Sequence, residues 1–153
     1  MICAFFGHAD APNEIKEKLK STIKEVIEKY KPEKFLMGKE GKFDYMAASV
    51  LNELSKTYDI DYNIVLAYLK GTGKSEGDCM FICDEKHTTY PEGLEKVPPR
   101  FAICHRNRWI IENADIIIAY VDRSWGGAAK FVRLAAKKGI KIINLGKKDP
   151  KTL

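Results

Sequence analysis

The sequence predicts an α/β protein built on a mainly parallel sheet with helices covering both faces. Short apolar runs alternate along the chain with amphipathic stretches at helical spacing, the pattern of strands joined by crossover helices. Several runs, "DIIIAYV" above all, are apolar at consecutive positions, as strands buried on both faces must be. A glycine pair, Gly126 and Gly127, stands where the last helix begins, directly after that run.

Ile2 to Phe6 is the first apolar run, and "GHADAPN" ends it with turn and cap residues. From Asn13 to Tyr30, Ile15, Leu19, Ile23, Val26, Ile27 and Tyr30 follow helical spacing with lysine and glutamate between them. Lys34 to Met37 is a short strand ended by Gly38, and "GKFDYMAASVLNELSKTY" supplies a second helix through Phe43, Ala47, Val50, Leu51 and Leu54. Asn63 to Leu69 reads as a third strand. Lys70 to Pro99 is long, rich in Gly, Pro and acidic residues and without periodicity, the character of a lid or binding segment. "RFAICHRNRWIIEN" then reads as a helix, Asp115 to Val121 as a strand, Gly127 to Lys138 as a helix stopped by Gly139, and Lys141 to Leu145 as the last strand.

The 153 residues suit one domain, since domains cluster around roughly 100–150 residues. No apolar run approaches the roughly 18 residues of a spanning helix. "MICAFFGHAD" lacks a basic leader and a small-residue cleavage pattern, so a first strand and a cytoplasmic location are expected. The charge of +5 arises from 26 basic and 21 acidic residues, with lysines falling beside glutamates on helical faces or in the tail "LGKKDPKTL". That is a solvated surface rather than a nucleic-acid groove. The four cysteines, Cys3, Cys79, Cys83 and Cys104, are expected to be reduced.

With the usual strand order 3-2-1-4-5, the sheet reverses direction between the strand ending at Phe6 and the strand ending at Val121, where such sheets bind ligands. The loops there are "GHADAPN" and "DRSWGGA". Glycines opening a helix let backbone amides approach an anion, and the helix dipole adds positive charge. They also serve tight turns and close packing. Neither loop carries the dinucleotide fingerprint G-x-G-x-x-G, and "GTGKSEG" lacks the spacing of a phosphate-binding loop.

"CAFFGHAD", "GKFDYMAASVLNEL", "YPEGLEKVPPRFAICHRNRWIIENADIIIAYV" and "SWGGAAKFVRLAAKKGIKIINL" together resemble the successive blocks of the YpsA-like branch of the SLOG superfamily, over nearly the whole chain. The resemblance implies a Rossmann-like α/β three-layer sandwich whose pocket takes a nucleotide or a ligand derived from ADP-ribose or NAD, in a sensing or carrier role with no required cofactor. It also implies pairing of two copies through helices. Two other activities occur in that superfamily: N-glycosidic cleavage by the Lonely Guy phosphoribohydrolases, and single-stranded DNA handling by DprA. Arg106 in "RNRWII" stands at the position of the phosphoribohydrolase R-K-x-x-M arginine. The glutamate of their P-G-G-x-G-T-x-x-E block has no counterpart, since Ala128 to Arg133 follow the glycine pair. Cleavage needs an acidic group, which leaves Glu112, Asp115 or Asp44.

The candidate ligand-binding residues are therefore Gly7, His8, Asp44, Arg106, Asn107, Arg108, Trp125, Gly126 and Gly127. Gly7 and His8 would turn an amide and an imidazole toward a phosphate or ribose, or form a turn with a capping histidine. Ala9 replaces an arginine more usual in the family. Asp10 reads as a helix cap. Asp44 meets a ribose hydroxyl or complements a helix dipole. The arginines pair with phosphate, or with Glu112 or Asp115 at the surface. Asp115 reads as a cap or an orienting partner for them. Trp125 stacks on a base or closes the core. Cys79, Cys83, His87, Cys104 and His105 match only half of a zinc pattern, so no metal is expected. Cys104 and His105, adjacent in sequence, do not face each other.

Overall fold

Residues 1–69 and 85–146 are described by the computed structural model. In chain order they form β1 (Ile2–Gly7), α1 (Lys16–Tyr30), β2 (Lys34–Met37), α2 (Lys42–Leu54), β3 (Tyr62–Val65), β4 (Thr88–Thr89), α3 (Ala102–Asn113), β5 (Ile116–Tyr120), α4 (Gly127–Lys137) and β6 (Lys141–Asn144). The six strands lie in one sheet of order β4-β3-β2-β1-β5-β6, with every pairing parallel. The five anticipated strands take the anticipated order, and β4 adds an edge beside β3.

Alternation along the central strands sets the layers. Cys3 and Phe5 of β1, with Ile116 and Ile118 of β5, face a core completed by α1 (Leu19, Ile23, Val26) and α2 (Phe43, Ala47, Val50, Leu51). Ala4, Phe6, Ile117 and Ala119 face the opposite core, completed by Ile110 and Ile111 of α3 and Phe131, Val132 and Ala135 of α4. Burying each large apolar side chain is worth about 1.5–3 kcal/mol, so both faces hold their helices firmly. The result is a Rossmann-like three-layer α/β sandwich.

Some boundaries shift from the sequence expectation, each for a local reason. Asn13–Ile15 is a tight 3-10 turn leading into α1. β3 stops at Val65 because β4 offers only Thr88 and Thr89 to pair with, and Leu66 N–H makes the last bond, to Thr89 O at 2.8 Å. Of the expected 70–99 lid, residues 70–84 lie outside the described residues, as do "GTGKSEG", Cys79 and Cys83. Residues 85–99 are more ordered than an aperiodic loop: they supply β4 and bury Leu94. Tyr68 Oη donates to Pro99 O at 2.8 Å, tying together the two sides of that segment.

Cys3 and Cys104 are free thiols. Cys3 is fully buried, and that burial pushes its thiol far up. Among the described residues, no helix is long and apolar enough to cross a membrane.

β1 is the pivot of the sheet. Its neighbours are β2, reached through α1 on one face, and β5, followed by α4 on the other. The loops after β1 and β5 therefore diverge, and a cleft opens between them.

Candidate functional site

The cleft has a volume of about 520 Å³ and lies over the carboxyl ends of β1, β2 and β5, with the starts of α3 and α4 as walls. Its chemistry differs from one end to the other.

At one end stands the start of α4. Gly126 caps this helix at φ 95° and ψ 168°, a conformation that essentially only glycine adopts, and no side chain bonds to the helix end. The first intrahelical bond is Lys130 N–H to Gly126 O at 3.1 Å. The amides of Gly127, Ala128 and Ala129 thus have no helical acceptor, and the helix dipole concentrates positive charge on them. A side-chain carbon placed on Gly126 or Gly127 would meet nothing within 4 Å, so the approach is open. α2 also begins on an extended, positive-φ glycine, Gly41, but there the way is shut: Ala9 lies against Gly41, and Lys42 N–H donates to Ala9 O at 2.9 Å.

At the other end lies a buried charge cluster. Arg106, only 2% exposed, donates from Nε to Asn107 Oδ1 at 3.0 Å, from Nη1 to Val65 O at 3.2 Å and from Nη2 to Glu40 Oε2 at 2.5 Å. Asp44, in the first turn of α2, is 8% exposed and accepts Glu40 N–H on Oδ2 at 3.2 Å. Burial pushes the Asp44 carboxyl up to about 7; the Glu40 charge adds to the effect, while Arg106 and the Glu40 N–H oppose it. Gly38 admits this cluster: a side-chain carbon there would stand 3.0 Å from the Arg106 guanidinium carbon and 3.1 Å from Asp44 Oδ2.

A strap of polar contacts joins the two loops at the rim. His8, 4% exposed, donates its backbone N–H to Tyr120 O at 3.2 Å, and its Nε2 accepts Asp122 N–H at 3.3 Å. Burial and the Arg123 charge hold the imidazole below its ordinary range, against the opposing pull of Asp122 and Asp10. The same Nε2 lies 3.3 Å from Asp122 Oδ1, so the ring sits between an amide and a carboxylate of one residue. Arg123 grips the Asp10 carboxylate with both terminal nitrogens and lies 5.5 Å from the centre of the Trp125 ring, which is 68% exposed.

The cleft thus gathers Gly7, His8, Asp44, Arg106, Asn107, Trp125, Gly126 and Gly127. Several of them do other work than the sequence implied. Gly7 is needed for packing, since a side-chain carbon there would stand 2.2 Å from Phe43 Cγ. Asn107 braces Arg106, and Asp10 serves Arg123 rather than capping a helix.

Three candidates fall away from the cleft. α3 runs from the cleft toward the opposite end of the sheet, with Ala102, Arg106 and Ile110 on its buried face; Arg108 and Glu112 project from the exposed one. At 1.5 Å per residue, Glu112 is also about 9 Å further along the axis than Arg106. Asp115 precedes β5 at the amino end of the sheet, where Oδ2 accepts Ile2 N–H at 2.8 Å, so it neither orients the arginines nor reaches a ligand. His87 stacks on Tyr62 at 4.2 Å, and His105 is exposed.

Gly38, Glu40 and Arg123 belong to the cleft and were not singled out from sequence. Arg123 had a signal, lying between a buried strand and the glycine pair. Glu40 had only its spacing of four residues from Asp44. Comparison of the chain with protein-family models and with curated proteins gave no match.

Proposed function

We propose that this chain is a YpsA-like member of the SLOG superfamily that binds a nucleotide, or a small molecule derived from ADP-ribose or NAD, in the cleft between the β1 and β5 loops, as a sensing or carrier domain. The observation that carries this reading is the open start of α4. Gly127 and Ala128 line the cleft with amides that have no helical acceptor, and a side-chain carbon on Gly126 or Gly127 would meet nothing within 4 Å, a natural seat for a phosphate. The volume of about 520 Å³ suits a nucleotide-sized molecule. Trp125, exposed at the rim, offers a face on which a base can stack, a contact worth about 1–3 kcal/mol.

The test is a thermal-shift panel of adenosine monophosphate, ADP-ribose and NAD, with calorimetric titration of any nucleotide that stabilises the protein. A ligand at about 100 times its dissociation constant adds about 2.7 kcal/mol. Gly127→Asp should abolish the shift while leaving the fold intact, because the new carboxylate has room, suits the helix dipole and repels the ligand's charge. The absence of any shift in the wild-type protein, or unchanged binding by Gly127→Asp, ends the reading.

One observation favours a second reading, N-glycosidic cleavage: Asp44 is a buried carboxyl in the cleft whose pKa is raised to about 7, as suits a proton donor. Free base released from a nucleoside monophosphate or NAD, and lost in Asp44→Asn, would establish it.

A further inference from the structure

Arg106 is the group that sequence reasoning assigns to a phosphate, yet its charge is already spent. Glu40 pairs with it at 2.5 Å, and two further donors are engaged by Asn107 and Val65. Asp44 stands beside this pair, with Oδ2 held by Glu40 N–H. Among the described residues, Asp44 Oδ1 has no hydrogen-bond partner and is not sealed from solvent, so this largely buried carboxyl turns its second oxygen to the cleft it lines. Glu40, 42% exposed at its side chain, presents its carboxylate to the same space. The β2 end of the cleft is therefore rich in acceptors and carries no surplus positive charge. The α4 end is the reverse, with free amide donors and no carboxylate bonded to the helix start. An anion placed against Glu40 would meet a like charge. Hydroxyl groups placed there would donate to the Glu40 carboxylate, a charged and therefore strong acceptor, and pair with the free Oδ1 of the Asp44 carboxyl.

We infer that the cleft reads its ligand from both ends: an anionic group on the amides of Gly127 and Ala128, and vicinal hydroxyls of a sugar on Asp44 and Glu40, with Arg106 a positioning residue that holds the Glu40 carboxylate beside Asp44 and leaves the phosphate alone. The ligand class is a phosphorylated sugar with a free diol. Phosphate alone, or a phosphorylated molecule without the diol, satisfies only one end. This inference rests on nucleotide binding as proposed above, and adds the direction of binding and the group that confers selectivity.

The experiment is calorimetric titration of the wild-type protein with adenosine monophosphate and with its 2′,3′-dideoxy analogue, followed by the same pair on Asp44→Asn, Glu40→Gln and Arg106→Lys. The dideoxy analogue should bind the wild-type protein on the order of tenfold more weakly or worse, as losing a hydrogen bond to a charged acceptor implies. Asp44→Asn and Glu40→Gln should narrow that ratio while the analogue keeps its wild-type affinity. Arg106→Lys should behave likewise, which a residue holding phosphate would not. Equal affinity of the two nucleotides for the wild-type protein overturns the inference and leaves nucleotide binding standing; so does an equal loss for both nucleotides in Arg106→Lys. Binding of neither nucleotide overturns this inference, and the functional reading falls with it when ADP-ribose and NAD also give no thermal shift.

Discussion

Asp44→Asn isolates the most perturbed carboxyl of the cleft. The side chain is 8% exposed, and its pKa rises from 3.8 to about 7, first through burial and then through the charge of Glu40. A native pKa above the unfolded one means that the folded state keeps its proton to higher pH. Below 3.8 both states are protonated and the group is neutral in the balance. As pH rises from there toward 7, the unfolded state gains from ionising while the folded state does not, so stability falls and then levels off. At about 1.4 kcal/mol per pKa unit, the loss is on the order of 4 kcal/mol at neutral pH. Asparagine has no such proton, yet its amide oxygen can still accept Glu40 N–H. The difference in unfolding free energy between variant and wild type should therefore grow by about 4 kcal/mol in favour of Asp44→Asn between about pH 4 and about pH 8. Urea denaturation across that range measures it, and in thermal melts the gain corresponds to roughly 10 °C. A difference that stays constant, or that shrinks as pH rises, refutes the assignment of Asp44 as a carboxyl kept neutral by burial.

Gly7→Ala should cost about 1–3 kcal/mol in urea melts, because the new carbon would stand 2.2 Å from Phe43 Cγ and that ring is held by Phe5 and Tyr120. The adjacent glycines of the α4 start should respond oppositely. Gly126→Ala should lose about 1–3 kcal/mol through its backbone alone, whereas Gly127→Ala, at an ordinary helical position with free space, should lose nothing or gain about 0.4–1 kcal/mol. Arg106→Met should destabilise by about 3–5 kcal/mol at neutral pH by stranding its partners. Adding Glu40→Gln to that variant should recover part of the loss, as a double-mutant cycle would record.

What could be read from the chain is what depends on short-range pattern. Consecutive apolar residues in β5 and helical spacing in α1 and α2 specify the elements, and their alternation specifies a parallel sheet; with the usual strand order its reversal point lies between the β1 and β5 loops. The glycine pair at the start of α4 was legible for the same reason, since a backbone requirement shows in the residue type. Two-residue β4 was not, being too short to carry a period. Nor was the partner of Arg106: Glu40 lies 66 residues away, and only the closing of β2 and α3 over Gly38 brings them together. Arg106, Arg108, Glu112 and Asp115 look equivalent as charges in one stretch of sequence. Helical phase buries Arg106 and exposes Arg108 and Glu112, and the direction of β5 carries Asp115 to the far end of the sheet. Given the common strand order, sequence alone placed the opening of the sheet, because local periodicity specifies the elements that alternate along the chain. Which charges meet there, and which of them remain free to meet a ligand, was decided by tertiary structure, because pairing in a buried site depends on distances that no local pattern records.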